Sequence, residues 1–329
     1  MTSFALRRLA STVPTLVGVA LAAFLILNLL PSDPLLTWSA EGAAPSAEAL
    51  ERLRHELRSD EGPLARFASW GAALLRGDLG RSLVDGRPVG SVVAEALPWT
   101  LLLNLCALLA IYGLAVPFGL VGAASPGSIA DRLGGMLLLI LYALPSFAAA
   151  VLLQEAFAVR LAILPLQGAA GLDSGAGIAA RGLDLARHLV LPTACLALSG
   201  WSFVARYARS AFRSVLGREF LSVARAKGMS RLRAWRHVLA NTAVPFVTLL
   251  GGIIPSLVGG SLIVEHAFSW PGLGRLYVAS VEGRDYPVVL GLTLLAALLV
   301  LAANLLVDLL YLAVDPRIRG TFLGERGDA

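Results

Sequence analysis

Lysine is almost missing from this chain: of the 27 Lys and Arg residues among 329, one is a lysine, Lys227. A phosphate-binding P-loop needs a lysine followed by Ser or Thr, and Lys227 is followed by Gly228. Any nucleotide chemistry this protein depends on must therefore sit on another polypeptide. Cysteine is scarce too, with Cys106 and Cys195 both inside apolar runs and no CxxC pair, so they read as small buried hydrophobes rather than as a disulfide framework. The four histidines, His55, His188, His237 and His266, show no HExxH-type spacing, so no metal site is expected. No GxSxG elbow is present either, which removes the usual nucleophile of a hydrolase. Charged residues make up only 15%, against about 25% in an average soluble domain.

What fills the chain is apolar: 57% of residues are hydrophobic and the mean hydropathy is +0.75. Such a chain has a bilayer for its solvent. The net charge of +5 and pI near 9.7 could point to nucleic acid. However, the basic residues alternate with runs long enough to cross a membrane, the pattern of basic cytoplasmic loops, and no nucleic-acid partner is expected.

The first run, residues 9–30, would span roughly 33 Å as a helix, matching the hydrocarbon thickness. Arg7 and Arg8 precede it, which predicts a retained anchor with its N-terminus in the cytoplasm rather than a cleaved signal. Five further runs follow, at 97–123, 133–159, 189–206, 243–264 and 288–311. The expected fold is an all-α integral membrane protein with six transmembrane helices and a C-terminus back in the cytoplasm. Between the first two runs, residues 31–95 are more polar and read as an extracytoplasmic segment, with Ser46 as N-cap of a short surface helix over 46–57. The organisation expected is a first helix and extracytoplasmic segment over 1–96, a five-helix core over 97–320, and a cytoplasmic tail over 321–329.

Charge placement agrees with that topology. Residues 209–240 carry eight Lys and Arg against one acid, Glu219, whereas the expected outer loops at 160–187 and 265–286 carry three and two arginines. The seven arginines of residues 31–96 weigh little, because a segment of that length crosses regardless of charge. Glu155, Arg206 and Asp308 fall near expected span ends, so no buried proton relay is visible, which disfavours a proton-coupled carrier. Pro14, Pro117, Pro145, Pro192 and Pro255, with Gly251, Gly252, Gly259 and Gly260, would let helices bend and pack closely. They fit rocking helices or ordinary membrane packing equally well.

Residues 209–241 form the expected cytoplasmic loop. Within it, the stretch from Phe220 to Pro245 is too basic to span yet contains an amphipathic pattern. Ala224 and Ala226 offer a close-packing surface, Gly228 permits a break in direction, and Ser230 can cap a second short helix carrying Leu232, Trp235 and Leu239. This describes a docking knob, with no catalytic residue.

At this stretch the chain resembles the inner-membrane permeases of binding-protein-dependent ABC importers, in the dipeptide, oligopeptide and nickel branch, and specifically the first of its two paralogous permeases. The family's Glu-Ala-Ala…Gly loop looks like Ser222-Val223-Ala224 followed by Gly228, with Ser222 and Val223 departing from the general consensus, and its closing proline looks like Pro245. Further matches are LRGDLGRSL at 75–83, RPV at 87–89, LPWTL at 97–101, VEHAFSWPGLG at 264–274, RDYP at 284–287 and DPRIR at 315–319.

The resemblance implies a type I importer fold in a bacterial inner membrane. It also implies a coupling loop at Ser222, Ala224, Arg225, Ala226, Lys227, Gly228, Met229 and Ser230 that docks on an ATPase. The implied partners are a second homologous permease, two ATP-binding-cassette ATPases that hold ATP and Mg, an extracytoplasmic binding protein and membrane lipid; no cofactor is implied for this chain. Peptides are the leading cargo, with nickel, sugars and other solutes left open. From the residues alone, a stand-alone channel or secondary transporter and a structural subunit glued by Asn28, Asn104 and Asn304 also remain.

Overall fold

The computed structural model describes residues 2–29, 62–171, 177–216 and 230–314. All of the regular structure in them is helical apart from one isolated bridge between Arg81 and Pro88. The helices are α1 (Thr2–Leu29), α2 (Pro63–Leu75), α3 (Val89–Ala124), α4 (Ile129–Ala143), α5 (Ser146–Leu153), α6 (Ile178–Leu216), α7 (Arg231–Ala267), α8 (Leu273–Glu282) and α9 (Tyr286–Val314). A π-helical turn, Gln154–Arg160, continues α5.

Helices α3, α6, α7 and α9 are each long and apolar enough to cross a bilayer, and α4 with α5 and its π turn passes the same test as one broken span. Helix α1 holds a shorter apolar stretch, Thr12–Leu27. The side chains identify the solvent. On α3, Leu103, Ala107, Ile111 and Ala115 are wholly buried, yet Leu101, Leu105 and Leu109 on the other side are about half exposed. A helix apolar on both faces is stable only where its outer face meets lipid or another subunit.

Two compact units share the chain: a larger one around Leu97–Arg275 with the end of α9 from Leu299, and a smaller one from the described parts of Leu9–Ala96 with Leu276–Leu298. In the larger unit α3 and α6 run side by side. A Cβ on Gly200 would press into Ile111, and one on Gly119 would lie 2.6 Å from the Ala208 Cβ and 2.8 Å from the Arg209 backbone nitrogen. The two contacts are eight residues apart on each helix, so α3 and α6 are parallel there. Small residues at the seam allow the approach, as is usual where no hydrophobic effect drives helices together. In the smaller unit, Phe24 of α1 meets Phe67 and Trp70 of α2 at ring-centroid distances of 5.4 and 6.0 Å.

Several expectations change in detail. The third run does not form one straight span: it breaks at Leu144–Pro145, and the halves meet at 105°. Proline removes a donor and pushes the preceding residue out of helical space, and Leu144 sits at ψ 118°. Pro14, Pro117, Pro192 and Pro255 instead lie inside continuous helices. Of the two loops expected on the outer side, that over 160–187 includes the start of α6 from Ile178, and that over 265–286 contains α8. α6 runs ten residues past Arg206, whose guanidinium lies 5.5 Å from the Tyr142 ring centroid. Cys195 is buried, whereas Cys106 is only half-buried.

Candidate functional site

Of the residues expected to dock on an ATPase, Ser222, Ala224, Arg225, Ala226, Lys227, Gly228 and Met229 lie outside the described residues, as do the surface helix over 46–57 and the 315–319 motif. Ser230 is described. It occupies the N-cap position of α7 in extended conformation, but its side chain makes no capping hydrogen bond. The short helix expected after it is the first part of α7, which continues for 37 residues through Pro245 and Pro255. On the other flank, residues 209–216 are still α6. Residues 217–229 are thus entered directly from one long helix and left directly into another.

The flanks of that segment are well built. Phe212 and Val215 of α6 pack with Val238 of α7 and with Ala123 and Ala208 in one buried cluster, and the Phe212 and Phe246 rings stand 5.6 Å apart. Beside it, Asp131 is a buried carboxylate that sequence reasoning missed. Its Oδ2 accepts from Arg209 at 2.5 Å and Arg213 at 2.8 Å, and also from the Gly127 backbone N–H at 3.0 Å. The Asp131 N–H in turn donates to Ser128 Oγ at 3.2 Å, capping α4. Gly127, at φ +78°, makes the turn after Pro126.

At a second place the structure joins sequence motifs that had been only a series along the chain. In the larger unit, 97–101 meets 264–274. Glu265, fully buried near the end of α7, accepts from Thr100 Oγ1 at 2.8 Å and from the Gly274 N–H at 2.6 Å. Thr100 Oγ1 accepts from the Leu273 N–H at 2.7 Å. Glu265 and Thr100 thus satisfy the orphan donors at the start of α8, and its positive end offsets a carboxylate badly placed for the dipole of α7. The Trp270 indole donates to the Trp99 carbonyl at 3.0 Å, with the rings edge to face. The two glycines are steric requirements: a Cβ on Gly272 would lie 2.3 Å from Glu265 Oε2, and one on Gly274 would lie 2.4 Å from the Leu262 Cα.

In the smaller unit, 75–89 meets 284–287. Asp285 is buried and accepts from Ser82 Oγ and from the Leu83 N–H at 3.0 Å. The turn it holds is shaped by Gly77, Gly80 and Gly86, all at positive φ. Among the described residues no group of three His, Cys, Asp or Glu could hold a metal ion. An apolar groove of about 530 Å³ between α3 and α6, lined by residues such as Cys106, Leu114, Ala197 and Trp201, offers no charged group to a cargo.

The parallel small-residue seam of α3 and α6 and the lipid-compatible exterior define a multi-span membrane protein. Comparison with known proteins makes the class specific. The family described as the binding-protein-dependent transport system inner membrane component matches residues 115–320. The oligopeptide transport system permease protein AppB of Bacillus subtilis is 34% identical over 320 residues, covering 97% of this chain and 99% of AppB. The glutathione transport system permease protein GsiC of Pectobacterium atrosepticum is 37% identical over 322 residues, with the same coverage. A solved structure of the MetNI methionine ABC transporter in inward-facing conformations covers 68% of this chain and 96% of its own, with a TM-score of 0.53 at 18% identity, and so shares the fold.

This chain belongs to the family of inner-membrane components of binding-protein-dependent transport systems. It is the non-catalytic, multi-pass permease subunit, and the family's ATP-hydrolysing and substrate-binding roles belong to partner subunits.

Proposed function

We propose that this permease forms half of the translocation path of an importer for di- or oligopeptides. The supporting observation is full-length similarity to permeases named for oligopeptide and glutathione transport. The assembly we infer is two homologous permeases, two ATPases holding ATP and Mg, and one extracytoplasmic binding protein. In it the chain crosses the inner membrane six times, with α1 as the first span and both termini in the cytoplasm. Residues 1–96 supply the first helix and an extracytoplasmic segment, 97–320 the permease core, and 321–329 a tail.

Residues 222–230 are the contact with the ATPase. Closure of the ATPase pair on ATP pulls this segment, and the rigid-body movement passes into the spans to exchange inward for outward access. Gly228→Pro removes a backbone donor and restricts φ at that position; it should abolish uptake while leaving insertion and ATPase recruitment intact, read as uptake alongside co-purification. Normal uptake in that variant would remove the coupling role from the segment. The cargo is tested by uptake of radiolabelled trialanine and glutathione into cells with and without this gene. Loss of at least one flux is expected, and two unchanged fluxes would overturn the peptide reading.

A further inference from the structure

The ion pairs at Asp131 lie where α3, α4 and α6 meet. Asp131 is on the first turn of α4, with its side chain 3% exposed. Arg209 and Arg213, one turn apart near the end of α6, both reach its Oδ2, and Arg213 also lies 3.4 Å from the Gly122 carbonyl of α3. Three glycines clear space around the cluster. A Cβ on Gly122 would stand 3.2 Å from Asp131 Oδ1, one on Gly135 would stand 3.4 Å from the Arg209 guanidinium, and Gly119 has no room for one at all.

Stability by itself does not call for such an arrangement, because a buried ion pair is often no better than apolar side chains of the same volume. What charges with a single shared oxygen provide is a fixed relative position of the helices that carry them. Arg213 is three residues from the end of α6 at Leu216, and the next residues are 217–229. Val238, beyond that segment on α7, packs into the cluster formed by Ala123, Ala208, Phe212 and Val215. A displacement of 217–229 is therefore delivered to both flanking helices within a few turns. Along the chain α4 reaches α6 only through α5 and residues 154–177; Asp131 supplies a direct polar link between the two.

We propose that Asp131, gripped by Arg209 and Arg213, is a positioning residue that makes α4 move as one body with the ends of α3 and α6 when partner ATPases displace residues 217–229. The proposal rests on the coupling role inferred above for residues 222–230, which that stretch largely contains. It assigns to α4, the first half of the span broken at Pro145, the task of carrying the movement away from the ATPase.

The test uses the full complex in lipid nanodiscs, with Cys106 and Cys195 replaced by alanine. Spin labels are placed at Ile129→Cys on α4 and Ser210→Cys on α6, both exposed positions. The expected result is one interlabel distance, the same without nucleotide and with ATP plus vanadate. Arg213→Gln should split it into two populations on ATP plus vanadate, and Arg213→Lys, which keeps the charge, should restore one. Arg213 is 37% exposed, and in this variant Arg209 still pairs with Asp131; Asp131→Asn should behave as Arg213→Gln does where the complex assembles. A distance that changes between states in the parent, or one that stays single in Arg213→Gln, overturns the proposal. A chain that purifies without ATPase subunits fails earlier and takes the importer assembly down with it, which separates the two failures.

Discussion

Glu265 shows how much a single side chain organises. It is an acid at the end of a membrane helix, wholly buried, and its position is tolerable because α8 begins against it and donates backbone N–H groups to it. Glu265→Ala should therefore lower stability by about 1–3 kcal/mol, the cost of leaving buried donors without an acceptor. Glu265→Gln, which still accepts one bond, should cost less. Thermal melting of the detergent-solubilised complex checks the order, and equal melting of the three proteins would remove Glu265 from the anchor. Gly274→Ala should lower the melting temperature by a different route, since its methyl group would meet the Leu262 backbone, which cannot turn aside.

Among helices, the contact that matters most is the parallel seam of α3 and α6. Gly119 faces Ala205, Ala208 and Arg209 with no room for a methyl group, so Gly119→Ala must separate the helices or shift their register. Overpacking of this kind costs about 1–3 kcal/mol, and here it also lifts the Arg209 guanidinium away from Asp131. The expected outcome is reduced melting temperature together with reduced uptake; a variant matching the parent in both would show that the seam is looser than its geometry. The break between α4 and α5 has a local cause in Pro145. Prolines inside α3, α6 and α7 leave those helices continuous, as membrane helices tolerate when the freed backbone groups find other partners.

For the molecule as a whole, the outward Leu101, Leu105 and Leu109 of α3 decide between solvents. In water Leu105→Arg would be harmless or beneficial. At the centre of a membrane span it should cost about 2.5–3.5 kcal/mol of insertion free energy. We expect a marked fall in the membrane-inserted fraction, measured by alkaline extraction of membranes; an unchanged fraction would mean that this face meets water.

Much of this was legible in the sequence, for physical reasons that can be stated residue by residue. Apolar length and basic flanks dictate a multi-span helical chain, since a bilayer forgives few charges. The lone lysine, followed by Gly228, removes ATP hydrolysis from the chain, and the ordered motifs from 75 to 319 carry the family. Other features depend on partners far apart in the chain and so leave no local signal. Asp131 looks like a loop acid until Arg209 and Arg213 arrive 78 and 82 residues later. Glu265 reads as the start of a loop until Thr100 and α8 close around it. Asp285 and Ser82, both buried, are 203 residues apart. Hydropathy reports where a segment resides; which buried charge meets which donor is decided only when the helices pack.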